Sequence, residues 1–121
     1  MQQIVEQAWE NRELLKTKEV QDVINTVIEQ LDKGILRVAA PVNDGWQVND
    51  WVKKAVIMYF PIRQMETMEL KPFEFHDKMA LKTDYAKLGV RVVPGAIARY
   101  GSYIASGVIM MPGFVNIGAY V

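Results

Sequence analysis

The sequence predicts an α/β N-terminal domain over residues 1–90, followed over residues 91–121 by the first coils of a parallel β-helix. Three observations point there. Before residue 91, amphipathic helical patterns alternate with short extended runs and turn residues. Of the 28 formally charged residues, 27 precede Val92 and only Arg99 follows it, while five of the eight glycines lie beyond it. Such a shift marks an architectural boundary near residues 89–93. Finally, glycine stands at positions 95, 101, 107 and 113, a strict period of six, with Ala119 in the next slot.

The elements follow in order. Ile4, Ala8, Trp9 and Leu15 fall at roughly helical spacing with polar residues between them, which predicts a first helix. Val20, Val23, Ile24, Val27, Ile28 and Leu31 follow the i, i+3, i+4, i+7, i+8, i+11 pattern of an amphipathic helix with one buried stripe. Thr17 is its expected N-cap, the hydroxyl accepting from an orphan backbone N–H. Lys33-Gly34 is its expected stop: a cation near the negative helix end, then a residue tolerant of positive φ. Ile35–Ala39, Asn43-Asp44-Gly45 and Trp46-Gln47-Val48 read as strand, tight turn and strand. Asn49 or Asp50 caps a third helix through Trp51, Val52, Ala55, Val56 and Tyr59, and Pro61 ends it. Residues 62–91 are less periodic and predict short extended pieces and a loop.

The last thirty residues carry more than glycine. Two positions after each repeat site stand Ile97, Tyr103, Ile109, Val115 and Val121; two positions before stand Val93, Arg99, Ala105, Met111 and Ile117. Three readings compete. A membrane-spanning helix is suggested by the uncharged run Ser102–Val121. In a helix, however, a six-residue step turns by about 240° and scatters the glycines over three faces. Pro112, Asn116, Ser102 and Ser106 would also meet hydrocarbon. Ordinary buried strands with glycine turns explain the composition but not the spacing. A hexapeptide solenoid explains both. Six is even, so each repeat returns its side chain to the same face of a strand, and a small residue recurs where the chain turns a corner.

Composition excludes several functions. Fourteen basic residues balance fourteen acidic ones and the pI is about 6.6, so non-specific binding to nucleic acid or anionic lipid lacks its basic excess. With no cysteine, disulfides, zinc knuckles and thiol catalysis are all excluded. Met1–Glu6 does not read as a secretory signal. There is no serine–histidine–acid set, phosphate-cradling glycine loop or EF-hand spacing.

Gly89-Val90-Arg91-Val92-Val93-Pro94, the hexads, and Met111-Pro112-Gly113-Phe114-Val115-Asn116-Ile117-Gly118-Ala119-Tyr120-Val121 together resemble the tetrahydrodipicolinate N-succinyltransferase family. The start Met1-Gln2-Gln3, the turn Asp44-Gly45-Trp46 and the run Trp51–Val56 agree with it. Arg99 and Ala105 depart from the larger aliphatic residue the repeat prefers, and Pro61–Lys82 does not align by motif. The resemblance implies a left-handed β-helix and a cytosolic enzyme of bacterial lysine and diaminopimelate biosynthesis. It implies transfer of the succinyl group of succinyl-CoA to the nitrogen of the opened tetrahydrodipicolinate. It further implies a homotrimer with active sites between neighbouring β-helices, and no metal, membrane or nucleic-acid partner. A coil of about three hexads means that Val93–Val121 makes fewer than two coils. The expectation is therefore an N-terminal piece, inactive alone, with the family's substrate-binding aspartate and CoA-binding coils past Val121. A different acceptor for the same acyl chemistry, or a non-catalytic folding or trimerisation module, stands as the alternative.

Arg91 is the one functional residue the resemblance carries over, as a substrate-binding arginine. A guanidinium offers a planar fork to a carboxylate, which suits a dicarboxylate substrate. An ion pair with Asp84 or another acid at the domain junction is the structural alternative. His76, the only histidine, lies between Glu74 and Asp77 in sequence and reads as a surface residue, since one histidine makes no metal set. Lys53 and Lys54 read as the solvated face of the third helix. Trp9, Trp46 and Trp51 read as core or interface aromatics. Met110, Met111 and Phe114 read as packing residues or, in a short solenoid, an exposed apolar edge.

Overall fold

The computed structural model describes residues 1–121. Helix α1 (Gln2–Glu10) buries Val5 and Ala8, and a 3-10 turn over Arg12–Lys16 carries the chain into α2 (Lys18–Asp32). The predicted stripe is the buried face of α2: Val20, Ile24, Val27, Ile28 and Leu31. Thr17 occupies the N-cap position, but its hydroxyl donates backwards to the Leu14 carbonyl at 2.7 Å and accepts nothing from the helix. The 3-10 turn leaves that carbonyl within reach, and the hydroxyl takes it. Gly34 follows the helix with φ +71°, and the Tyr103 ring lies 2.7 Å from where its Cβ would stand. Glycine is required there twice, by backbone angle and by space.

Strand β1 (Ala39–Val42) pairs antiparallel with β2 (Gly45–Val48) across Asn43-Asp44. The strand begins later than expected because the Ile35 and Leu36 amides bond back to the Gln30 carbonyl and wrap the chain around the end of α2. Helix α3 (Asp50–Ile62) starts after Asn49 and runs one residue past Pro61. A proline in the last turn forfeits one hydrogen bond, which the packing of α3 tolerates. Val52, Ala55, Met58 and Tyr59 of α3 close a core with α1 and α2.

The segment read only as extended pieces is an antiparallel hairpin, β3 (Glu66–Leu70) with β4 (Phe73–Asp77). A single-turn helix, α4 (Tyr85–Leu88), is bracketed by positive φ at Asp84 and Gly89. Beyond it the pairing becomes parallel. β5 (Arg91–Val92) lies beside β7 (Ile109–Met110), and β6 (Ala96–Ala98) beside β8 (Gly113–Val115). A further parallel bridge joins Tyr103 to Tyr120.

The parallel pairs do not keep one constant step. Arg91 faces Ile109, eighteen residues on, whereas Ala96 faces Gly113 and Tyr103 faces Tyr120, seventeen residues on. Gly95, Gly101 and Gly107 have φ near +90 to +100°, as corners require, but Gly113 does not; it opens β8, and Gly118 takes the next positive φ in place of Ala119. The corner at Met111-Pro112 is one residue shorter than that at Val93-Pro94-Gly95, so Pro112 comes to lie against Gly95. Nor is the column two after each glycine the interior one. Ala98, Ile104 and Met110, three after, are buried with Val90, while Ile109 is exposed. Alternation along a strand sends adjacent residues to opposite faces, and here both columns are apolar.

The parallel strands do not stand apart from the helices. Ile117 joins the core of α1–α3, and the corner at Gly101 packs on Ile28 of α2. Ala80–Lys82 runs antiparallel along the free edge of residues 98–100, with Lys82 N–H bonded to Ala98 O and Tyr100 N–H to Ala80 O.

Candidate functional site

Arg91 sits at the start of β5. Val90 and Val92 on either side turn into the small second core, so alternation points Arg91 outward, and it is exposed. Its backbone N–H is held by Val108 O at 3.0 Å, which fixes the residue against the next strand. The guanidinium forms no ion pair; the expected structural partner Asp84 adopts a left-handed conformation at the start of α4 instead.

Two clefts lie between the β3–β4 hairpin and β6, sharing Phe75, Leu81 and Ile97. The larger, about 460 Å³, is almost wholly apolar, with Leu70, Phe73 and Pro94 on its walls and the Tyr85 phenol as its polar group. Burial raises the Tyr85 pKa, opposed by a hydrogen bond that its phenol oxygen accepts from the Ala98 backbone. The smaller cleft includes His76, Asp77 and Arg99. Arg91 lines neither.

Arg99 is a staple across three elements. It pairs with Asp77 of β4 at 3.1 Å, donates to Asn116 Oδ1 at 3.2 Å, and lies over the rings of Phe60 and Phe114. This explains a charged residue in an otherwise uncharged repeat. A second junction is buried. Lys82, its side chain 3% exposed, pairs with Asp32 at 2.8 Å, and the same carboxylate oxygen accepts from Gly101 N–H at 3.0 Å. Beside it the Tyr100 hydroxyl donates to Glu29, which also pairs with Lys33 at 2.8 Å. The hydrogen bond from Lys33, then that from Tyr100, holds the Glu29 carboxyl below its ordinary range. Burial, followed by the Glu29 bond, drives the Tyr100 phenol far above its own. Glu29 and Lys33 are an i,i+4 pair, but no sequence motif announced the contacts of Lys82 and Gly101 with Asp32 or of Tyr100 with Glu29, because those partners lie tens of residues apart.

The remaining candidates are resolved plainly. His76 is an exposed strand residue with Nδ1 2.8 Å from the Thr67 hydroxyl on the paired strand. Lys54 departs from the solvated reading: it is half-buried and bridges Glu6 of α1 at 2.7 Å and Asp50 at 3.4 Å. Lys53 is exposed. Trp9 and Trp51 pack against the helical core, but Trp46 is 67% exposed on β2. Met110 is buried, whereas Met111 and Phe114 are exposed.

The architecture is that of a mixed helix-and-strand N-terminal region leading into glycine-cornered parallel pairs, with an unpaired arginine where the pairing starts. A family model described as tetrahydrodipicolinate N-succinyltransferase N-terminal matches residues 1–62, and the chain belongs to that family. Curated relatives from Burkholderia multivorans, Paraburkholderia phytofirmans and Paraburkholderia xenovorans are each 46% identical over 132 aligned positions. All three carry the name 2,3,4,5-tetrahydropyridine-2,6-dicarboxylate N-succinyltransferase. The match takes in the whole of this chain and 48% of each relative, so the chain spans about half their length.

Proposed function

We propose that this chain is the N-terminal part of an acyltransferase that moves the succinyl group of succinyl-CoA to the nitrogen of tetrahydrodipicolinate. The cytoplasmic route to diaminopimelate and lysine is its setting. The carrying observation is 46% identity along the entire chain to enzymes of that name. In this reading residues 1–90 are an N-terminal domain, and residues 91–121 begin a left-handed parallel β-helix. The parallel pairs seventeen to eighteen residues apart support the latter, since that is about three hexads per turn. No helix is long and apolar enough to cross a membrane.

The nitrogen lone pair of the opened substrate attacks the thioester carbonyl. The C–S bond breaks, an amide forms, the sulfur leaves as CoA thiol and the nitrogen gives up its proton. No protein nucleophile is needed; positioning and oxyanion stabilisation suffice. Arg91 holds a substrate carboxylate through its fork. Its exposure and lack of an acidic partner support that role. Exposed Ile109, Met111 and Phe114 offer surface for a homotrimer.

The test follows free thiol released from succinyl-CoA. The protein carrying its complete reading frame releases thiol only when tetrahydrodipicolinate is present; the 121-residue chain alone does not. Arg91→Lys raises KM for tetrahydrodipicolinate roughly tenfold or more and leaves KM for succinyl-CoA in place. Absence of acceptor-dependent thiol release from the complete protein overturns the activity. An unchanged acceptor KM in Arg91→Lys removes the arginine from the site.

A further inference from the structure

We infer that Arg37, with Trp46 beside it, forms a carboxylate-binding site separate from Arg91. The chain has five arginines, and three of them are satisfied locally. Arg99 pairs with Asp77, Arg12 bonds the Trp9 carbonyl and Arg63 bonds the Lys78 carbonyl. Arg37 has no such partner. Its Nε is buried without a hydrogen-bond acceptor, and no acidic side chain pairs with it.

The group is nevertheless held in place. Its guanidinium carbon lies 3.6 Å over the centre of the Tyr120 ring and 6.0 Å from that of Trp46. Tyr120 packs on Tyr103 at 4.5 Å, and Tyr103 fills the space over Gly34. The Arg37 carbonyl accepts from Asn49 Nδ2 at 2.8 Å, which pins the residue's backbone. A stack of glycine, two tyrosines and a guanidinium therefore presents a pre-oriented cation, and little side-chain entropy remains to be lost on binding.

Charge and shape select the ligand. A guanidinium is a planar fork matched to the two oxygens of a carboxylate, and one fixed positive charge balances one negative charge. Nε is closed to solvent, so the outer guanidinium nitrogens are the edge a carboxylate meets, and a charge-assisted hydrogen bond there is stronger than a neutral one. Trp46, exposed on β2, supplies an apolar wall for the carbon skeleton next to the carboxylate. The carboxylate comes either from a small free acid or from an acidic side chain outside residues 1–121.

The experiment records guanidinium proton–nitrogen NMR signals of the isotope-labelled chain. Succinate is titrated, with phosphate and sodium chloride at matched ionic strength alongside. The Arg37 Nε–H signal, assigned by its disappearance in Arg37→Lys, moves saturably with succinate. Emission from Trp46, assigned through Trp46→Phe, follows with the same midpoint. In Arg37→Lys the emission midpoint weakens roughly tenfold or more, because an ammonium lacks the fork. The titration is repeated on the protein with its complete reading frame. An Arg37 signal already displaced in the succinate direction, and silent to added succinate, assigns the carboxylate to the polypeptide; a signal that still titrates assigns it to a free acid. A signal that moves in neither protein beyond the sodium chloride control overturns the site. So does a phosphate midpoint equal to that of succinate.

Discussion

Two glycines of the same hexapeptide column make opposite demands on the chain. Gly101 has φ +91°, and a Cβ there would stand 2.7 Å from Ile117 and 3.0 Å from Ile28. Gly113 has no positive φ, and its nearest neighbour would be an ordinary 3.7 Å away. Gly101→Ala therefore combines left-handed strain with overpacking and should cost about 2–4 kcal/mol. Gly113→Ala should stay within about 0.5 kcal/mol. Urea unfolding midpoints of the two variants check this; equal losses would mean that the repeat column, not the local backbone, sets the demand. Lys82 makes a second residue-scale case. Lys82→Met leaves the Asp32 carboxylate without its cation in a largely dry junction and should cost roughly 2–4 kcal/mol. The partial exposure of Asp32 keeps the loss from the top of the range for a buried pair. A change of less than about 0.5 kcal/mol in the unfolding midpoint analysis would assign the pair no part in docking α2 on the corner at Gly101.

At the scale of elements, the parallel strands are distinguished by which column they hide. Ile104 is 3% exposed among Val90, Ala98 and Met110, whereas Ile109 is 56% exposed. Ile104→Ala should destabilise by about 2–3 kcal/mol, the low end for a buried aliphatic because this core is small. Ile109→Ala should change stability by less than about 0.5 kcal/mol. Thermal unfolding of the pair distinguishes the interior column from the exterior one, and a reversed order would put the wrong face of the strands inside. Helix α2 was readable residue by residue, since its stripe has a single period and one apolar face, whereas α1 stops at Glu10 and leaves Leu15 to the 3-10 turn. The strand interior was not. Positions 97–98 and 109–110 are apolar on both columns, so a period of two gives no preferred face. The hairpin β3–β4 was equally obscure: its inward face mixes Glu66 and Asp77 with Met68, Leu70, Phe73 and Phe75, which blurs the alternation.

The whole molecule is held together where the helical layer meets the parallel strands, and that junction is titratable. Glu29 ionises more readily folded than unfolded, through its bonds from Lys33 and Tyr100. Its contribution is present above the ordinary carboxylate range and fades as pH falls through the lowered folded pKa. Tyr100 keeps its proton longer when folded. Its contribution is complete below about pH 10, the ordinary phenol range, and is lost as pH rises beyond it. Stability should thus be level through neutrality and fall on both sides. Tyr100→Phe should lessen the alkaline fall, with Tyr59 and Tyr85 still raised by burial, and lessen the acid one, since Lys33 remains as the partner of Glu29. Urea midpoints of both proteins from pH 3 to pH 11 test this; an unaltered alkaline limb in the variant would detach Tyr100 from the effect.

By itself the sequence determined the first three helices, the buried stripe of α2, the first hairpin, the break in composition near residue 90 and the six-residue rhythm. Each of these is a local regularity, written in residues a few positions apart. Only the tertiary structure decided that one corner is a residue short, that Gly118 and not Ala119 turns the chain, and which column faces inward. It alone joined Lys82 to Asp32, Tyr100 to Glu29, and Arg37 to Tyr120. Those partners meet because α2, the residues following it and the strand corners pack on one another. Such pairings depend on where elements dock, and no periodicity along the chain records that.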